Sequence, residues 1–549
     1  MRKESIFILA WCLFLLIIIV AGSIQMPYFM DETNFLHNCL SFVTETTIVP
    51  VYARYPTLYS YVIFLPVWLV FLCFYFLKGL AASGLRDPAF LKFLFSENIL
   101  LLCRASRATT MMFSIGTVFL ILRRSVKKYG FLAASIAALL LCLDPLKIYL
   151  TLSRYGLPDI SMTFLVTIAM LTCFRYLEKK NIKYLYWAAL VSGLALSTKF
   201  NAIFMLFPLF TAVALDDIGK KKKYKHYLSV VLLVLAGFVA GTPALLISLK
   251  SYASGFAYET MVLFRWGHLG MHGTNWVWVV ESLWRTSPII TILIALGIAY
   301  SGLRRTKEDL LFLALLLPSF LIMGALSKKS LWYFVFLYPL IALYVGRFLS
   351  DVFKKLEKPY LRKAFYAMLV LAFALPAWSL YSTLSRDILP DNRVVSQSWI
   401  NKNIPPGSLI VTDWAYVPDI CDKKNIARRT GEAEKTNSRY TEMIKNYYSK
   451  IPSYNVVTLQ PLDYDFNRIS KINTEYIVVS SSCYSRFFNG GKNAALKEND
   501  PLYGPFMKRL EFYDTLLNNK SPFRLIKIFS SGSGPTIKIF KARKPDSSS

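Results

Sequence analysis

Long apolar runs separated by short basic clusters dominate the first two-thirds of the chain. A helix needs about 20 apolar residues to cross a hydrocarbon core of about 30 Å, and such runs recur up to about residue 380. The pattern predicts spans over Ile6–Gly22, Leu100–Leu122, Phe131–Leu150, Ile160–Tyr176, Tyr184–Thr198, Ala202–Leu215, Tyr227–Leu249, Trp278–Tyr300, Leu310–Leu326, Leu331–Leu349 and Phe365–Leu380. That makes about eleven spans. From Ser382 onward the apolar runs shorten to strand length and partly alternate. Leu409–Val411, Tyr476–Val479, Leu525–Phe529 and Ile537–Phe540 read as strands, and Val394–Ile400 and Phe506–Leu517 as helices. The chain thus divides into a membrane module, residues 1–381, and a C-terminal α/β domain, residues 382–549.

The apolar run Leu58–Leu77 is long enough to be a further span, but charge parity argues against that. Five basic clusters punctuate the chain: Arg123–Lys128, Lys179–Lys183, Lys220–Lys225, Arg304–Lys307 and Lys354–Lys358. Loops rich in Lys and Arg stay in the cytoplasm. With the N-terminus inside, all five are cytoplasmic only if Leu58–Leu77 does not cross, which makes it a re-entrant or interfacial helix. The C-terminal domain is then extracytoplasmic. The h-region-like segment after Met1-Arg2-Lys3 is longer than a signal peptide requires, so it reads as a retained first span.

Composition agrees. Of 549 residues, 55% are hydrophobic and only 17% charged, too few charges for a soluble chain, and 63 Lys+Arg against 33 Asp+Glu leave a net charge of +30. Those charges sit in short loops and form no single basic face, which excludes nucleic acid as the partner in favour of membrane lipid. No Cys/His zinc spacing occurs, and Cys421 and Cys483 lie where an extracytoplasmic disulfide is an open alternative.

The same parity gathers polar residues on the outer face: Asp31-Glu32 after the first span, Arg54, Arg104, Arg107, Arg154 with Asp159, Lys199, and Lys328-Lys329. Helix capping and snorkelling are ordinary roles for each. Together they form a basic rim around a carboxylate pair. His268 and His272 have one-turn spacing in an outer loop but lack metalloprotease character, and acceptor contact or loop packing suits them better. An outer-face site lacks cytosolic nucleotides, so an activated group must arrive on a lipid carrier. Phosphate leaves readily if cations stabilise it, and a carboxylate can take the proton of an attacking hydroxyl. A transporter or flippase, in which Lys199 and the acids form a substrate path, is the rival reading. It has against it the lack of symmetric halves.

The acidic pair, Arg54-Tyr55-Pro56-Thr57-Leu58, Arg154…Asp159, Gly193–Lys199 and Ser327-Lys328-Lys329…Tyr333…Pro339 together resemble the GT-C glycosyltransferases that use polyprenyl-phosphate sugars. The nearest groups are relatives of the dolichyl-phosphate-mannose–protein mannosyltransferases and the lipid A aminoarabinose transferases. The resemblance implies a polytopic α-helical fold with interfacial helices, Asp31 as catalytic base, and Glu32 and Asp159 as supporting carboxylates. It implies Lys199 and Lys329 as donor-phosphate contacts, with Lys328, Arg54, Arg107 and Arg154 as further candidates. Relatives often carry His-Pro-Pro-Leu or Lys-Pro where this chain has Tyr55-Pro56-Thr57-Leu58, so Arg54 is the candidate to replace that contact. Some members use a divalent ion near these acids and others do not, which leaves Asp31, Glu32 and Asp159 open as its ligands. The expected acceptor is a hydroxyl of a lipid, glycan or protein, and the setting a bacterial plasma membrane.

Overall fold

The computed structural model describes residues 2–23, 26–27, 30–79, 82–145, 147–216, 220–266, 269, 275–328, 330–488 and 501–543. Among the described residues, seven helices are long and apolar enough to cross a membrane, and four shorter apolar helices accompany them. This is an integral membrane protein whose helices pack around one extended apolar core.

Charged residues collect at the two ends of that bundle. At one end, Arg124 contacts Glu178 at 2.6 Å and Glu308 at 2.7 Å. Arg347 contacts Asp309 at 2.7 Å, Arg304 contacts Asp351 at 2.8 Å, and Lys180 contacts Asp216 at 3.2 Å. All five basic clusters of the sequence feed this end, since Lys223 also caps the Ala214 carbonyl and Lys354 approaches Asp351. Thr306 and Asp309 close a reciprocal capping box there. At the other end lie Glu32 with Arg107, Asp159 with Lys199, and Arg154 with Asp387.

The Leu58–Leu77 helix has the length of a span, yet both its ends contact elements that border the second end of the bundle. Its first amide donates to Ser197 O at 3.0 Å, next to Lys199. Toward its far end the Tyr75 hydroxyl and the Tyr440 hydroxyl of the C-terminal domain both pack against Gly84.

Some expected spans are broken in ways hydropathy cannot register. Phe131–Leu150 is two helices, Phe131–Leu143 and Ile148–Ser153, because Asp144 and Lys147 take left-handed φ values of 35° and 55° around Pro145. Trp278–Tyr300 is divided into Asn275–Thr286 and Pro288–Arg304, with Pro288 opening the second helix. The last membrane helix, Pro359–Asp387, runs beyond residue 381.

Close helix contact is set by small residues. A Cβ on Gly193 would lie 2.1 Å from Val234 O, and one on Gly237 would lie 2.3 Å from Leu190 O, so helices Ile182–Leu196 and Lys220–Gly241 touch backbone to backbone. Gly193→Val should therefore destabilise the protein by about 1–3 kcal/mol, the usual cost of overpacking. Thermal unfolding in detergent reads this; an unchanged midpoint would mean the helices are not in contact.

The C-terminal domain holds a five-stranded sheet of β1 (Leu409–Thr412), β2 (Asn455–Thr458), β3 (Tyr476–Ser480), β4 (Phe523–Phe529) and β5 (Ile537–Ala542), in the order β2-β1-β3-β5-β4. β1 is parallel to β2 and β3, while β5 is antiparallel to β3 and β4. β2 escapes the sequence reading because Asn455-Val456-Val457-Thr458 is short and flanked by polar residues. The domain docks on the short helix Pro88–Glu97. Tyr440 stacks on Phe90 at 3.9 Å, and Glu97 accepts from Arg429, Tyr447 and Tyr448, each at 2.8 Å. Cys421 and Cys483 are both free, the latter buried with its thiol on Ala415 O, so the open disulfide is not formed.

Candidate active site

A cavity of about 590 Å³ opens between the second end of the bundle and the C-terminal domain. Among the described residues its walls carry Asp31, Asp159 and Glu259 against Arg54, Lys147, Lys199, Lys328 and Arg486. Cations outnumber carboxylates, so the empty space is electropositive and suited to an anion.

Each side chain is brought there by a local device. Asp31 lies in the first turn of helix Met30–Thr44, where the helix dipole favours a negative charge. Asp159 follows Pro158 at the start of helix Pro158–Lys179, and its Oδ1 takes a 2.5 Å contact from Lys199 Nζ. Lys199 stands in extended backbone (φ −157°) just before Phe200–Met205, so the pair bridges two elements. Lys328 sits in a loop pinned by the buried Asn275, whose side chain donates to Lys328 O at 3.0 Å and accepts from Ser330 N at 3.1 Å. Arg54 is covered by helix Leu249–Met261 because Gly255 lies directly on the Ala53 carbonyl, where a Cβ would come within 2.5 Å. That contact sets the Arg54 guanidinium 4.0 Å from the Tyr258 ring.

Asp31 stands apart from Asp159, which Lys199 holds. Among the described residues no side chain or backbone group hydrogen-bonds or ion-pairs with Asp31, although Lys328 and Lys199 lie within electrostatic range. Burial raises its pKa above the ordinary 3.8, with the two lysines pulling the other way. Burial likewise raises Glu259 and lowers Lys328, the second against the attraction of Glu259 and Asp31. A buried lysine in an electropositive cavity gains most from a bound anion.

Two expected phosphate contacts are corrected by the structure. Arg107 is not on the cavity: it is 1% exposed, grips Glu32 with Nε at 2.8 Å and Nη2 at 2.7 Å, and donates to the carbonyls of Met26 and Pro27. Glu32 is fully buried and also accepts from Gly156 N at 2.6 Å, so it braces the loop behind Asp31 and does not reach the cavity. Arg154 turns away too, onto Asp387 at 2.6 Å, tying the last membrane helix to the bundle. Lys329, His268 and His272 lie outside the described residues. Asp31, Glu32 and Asp159 do not fit a divalent ion as a set, because Arg107 and Gly156 hold Glu32 and Lys199 holds Asp159. No group of three His, Cys, Asp or Glu gathers for a metal among the described residues.

The sequence reading passed over Lys147, the cavity role of Glu259, and the particular residues that the C-terminal domain supplies. Trp414 and Tyr416, just after β1, and Arg486, on the helix after β3, line the far wall. Their support is Asp413, a buried acid that accepts from Tyr513 Oη at 2.5 Å and Ser480 N at 2.8 Å. Burial pushes its pKa up to about 7. A carboxyl whose folded pKa exceeds its unfolded value stabilises fully below the unfolded value and loses that contribution as pH rises through the folded one. The stability of this domain should therefore decline between about pH 4 and pH 7, and Asp413→Asn should flatten that slope. Denaturant unfolding across this range, followed by near-ultraviolet circular dichroism, checks it; an equal slope in the variant would contradict it.

Residues 90–242 match the family described as dolichyl-phosphate-mannose-protein mannosyltransferase. The fold is similar to that of ArnT from Cupriavidus metallidurans bound to undecaprenyl phosphate, with a TM-score of 0.50 at 12% identity over 97% of each chain. The fold is that of ArnT. The apo state of the same ArnT gives 0.48 at 11% identity over 98% of each chain. The Archaeoglobus fulgidus oligosaccharyltransferase, in complex with Zn and sulfate, gives 0.44 at 13% identity over 86% of this chain and 69% of that one. No curated protein sequence matches significantly. The family match spans helices Pro88–Glu97 to Lys220–Gly241, the part that holds Arg107, Arg154, Asp159 and Lys199.

Proposed function

We propose that this chain is an inverting glycosyltransferase that moves a monosaccharide from a polyprenyl-phosphate donor to an acceptor hydroxyl on the outer face of a bacterial plasma membrane. In this reading the N-terminus and the basic bundle end are cytoplasmic, and the domain after residue 381 is extracytoplasmic. The observation that carries it is Asp31, a carboxylate with no hydrogen-bond or ion-pair partner among the described residues, in a cavity where cations outnumber acids.

The acceptor oxygen attacks the anomeric carbon as Asp31 takes its proton. The bond from that carbon to the phosphate oxygen breaks, and its electron pair leaves with the phosphate. A single displacement inverts the centre. Lys328 and Arg54 neutralise the departing phosphate directly, and Lys199 does so while its bond to Asp159 fixes its position. The raised pKa of Asp31 brings it nearer to that of a useful general base and moves the acid limb of the transfer rate upward from that of a free aspartate. The lipid tail lies along the Leu58–Leu77 helix, whose exposed face includes Leu65 and Leu69. Glycolipids and glycoproteins compared by mass spectrometry between a strain with the intact protein and one with Asp31→Asn test the reading. The expected result is loss of one monosaccharide from one acceptor class; identical glycans in both strains would overturn it.

A further inference from the structure

The far wall of the cavity carries more than donor chemistry requires. β1 ends at Thr412, and Asp413-Trp414-Ala415-Tyr416 leaves its carboxyl end toward the cavity. The Trp414 and Tyr416 rings form a corner, with centroids 6.4 Å apart and planes at 70°. Tyr416 holds a left-handed φ of 58°, which a bulky side chain keeps only where its surroundings impose it. They do so here: Asp413 is anchored by Tyr513 and Ser480, and the Ala415 carbonyl accepts from the Cys483 thiol at 3.2 Å. Arg486 lays its guanidinium 5.8 Å from the Trp414 ring centre, steadied by a 2.9 Å bond from Nη2 to Ser482 O.

A lipid tail and a phosphate, already served by Arg54, Lys199 and Lys328, leave this corner unused. Two edge-to-face aromatic rings offer an apolar wall to the C–H face of a sugar, and a guanidinium offers planar, two-pronged recognition of a carboxylate or phosphate. Both sit at the carboxyl edge of the parallel strands, where open α/β sheets bind ligands. We propose that Trp414, Tyr416 and Arg486 form the acceptor subsite, and that the acceptor is a carbohydrate ring carrying an anionic group. The proposal rests on the glycosyl-transfer reading above and assigns its second substrate.

The test uses the full-length protein in nanodiscs saturated with undecaprenyl phosphate, so that the donor-phosphate cations are occupied. Glucuronate, glucose, acetate and an acidic serine-containing peptide are titrated and followed by saturation-transfer NMR. Glucuronate should bind saturably and about tenfold more tightly than glucose or acetate. Trp414→Ala and Arg486→Gln should each weaken glucuronate about tenfold while leaving undecaprenyl phosphate binding unchanged. Tyr416→Gly should raise the thermal midpoint by relieving the left-handed residue, yet still weaken glucuronate, a combination that a purely structural corner would not give. Binding of the peptide in place of glucuronate, or variants that bind glucuronate as well as the parent, would overturn the proposal. Glucuronate binding does not depend on Asp31 as base, so Asp31→Asn should retain it even as transfer is lost. The two readings therefore fail separately.

Discussion

Asp31→Asn should abolish sugar transfer while the protein folds and holds its lipid. Asparagine matches aspartate in size, and among the described residues no ion pair or hydrogen bond to Asp31 is there to lose. General-base catalysis contributes about 10²- to 10⁴-fold, so kcat should drop by that factor at neutral pH. The KM for a polyprenyl-phosphate sugar should stay level or fall, because the change removes a negative charge from a cavity that binds an anion. Steady-state transfer in detergent with a radiolabelled donor measures both constants. Glu259→Gln is the informative control, since Glu259 shares the cavity and a burial-raised pKa. If that variant loses kcat and Asp31→Asn does not, the base is Glu259.

Arg107→Met should instead cost the fold. It leaves Glu32 charged, fully buried and without its principal partner, and breaking a buried pair from one side destabilises by about 3–5 kcal/mol. Glu32→Gln combined with Arg107→Met should recover part of that loss, because both charges are then gone. Thermal unfolding of the purified variants in detergent, with the double-mutant cycle completed, reads the coupling. A normally folded Arg107→Met protein that has lost donor binding would restore Arg107 as a phosphate contact. Arg154 follows the same logic with a half-buried partner, Asp387, and a smaller expected cost.

These two arginines mark where sequence reasoning stops. Charge parity places a cation on a membrane face, but whether it meets a ligand or a counter-ion depends on which way its helix is turned. Arg107 and Lys199 both read as outer-face cations, and only packing shows that Arg107 points into a sealed pair while Lys199 points into the cavity. Asp31, Asp159, Lys199, Lys328 and Arg54 were legible because a charge beside an apolar run is expensive and therefore conspicuous. The Asp144 break was not, since hydropathy averages composition and carries no information on φ. Trp414, Tyr416 and Arg486 were invisible for another reason: they reach the cavity only through the docking of a domain far along the chain. A Trp-Ala-Tyr after a buried strand carries no sign of what it will face.

The central claim is that Asp31 shares one cavity with the cations that hold a lipid-borne phosphate. Equilibrium binding of undecaprenyl phosphate to the parent protein, Asp31→Asn and Lys328→Met, in nanodiscs at fixed ionic strength, tests it most directly. Asp31→Asn should bind as tightly as the parent or more so, and Lys328→Met about tenfold more weakly. Equal affinity in Lys328→Met, or a large loss in Asp31→Asn, would contradict the claim.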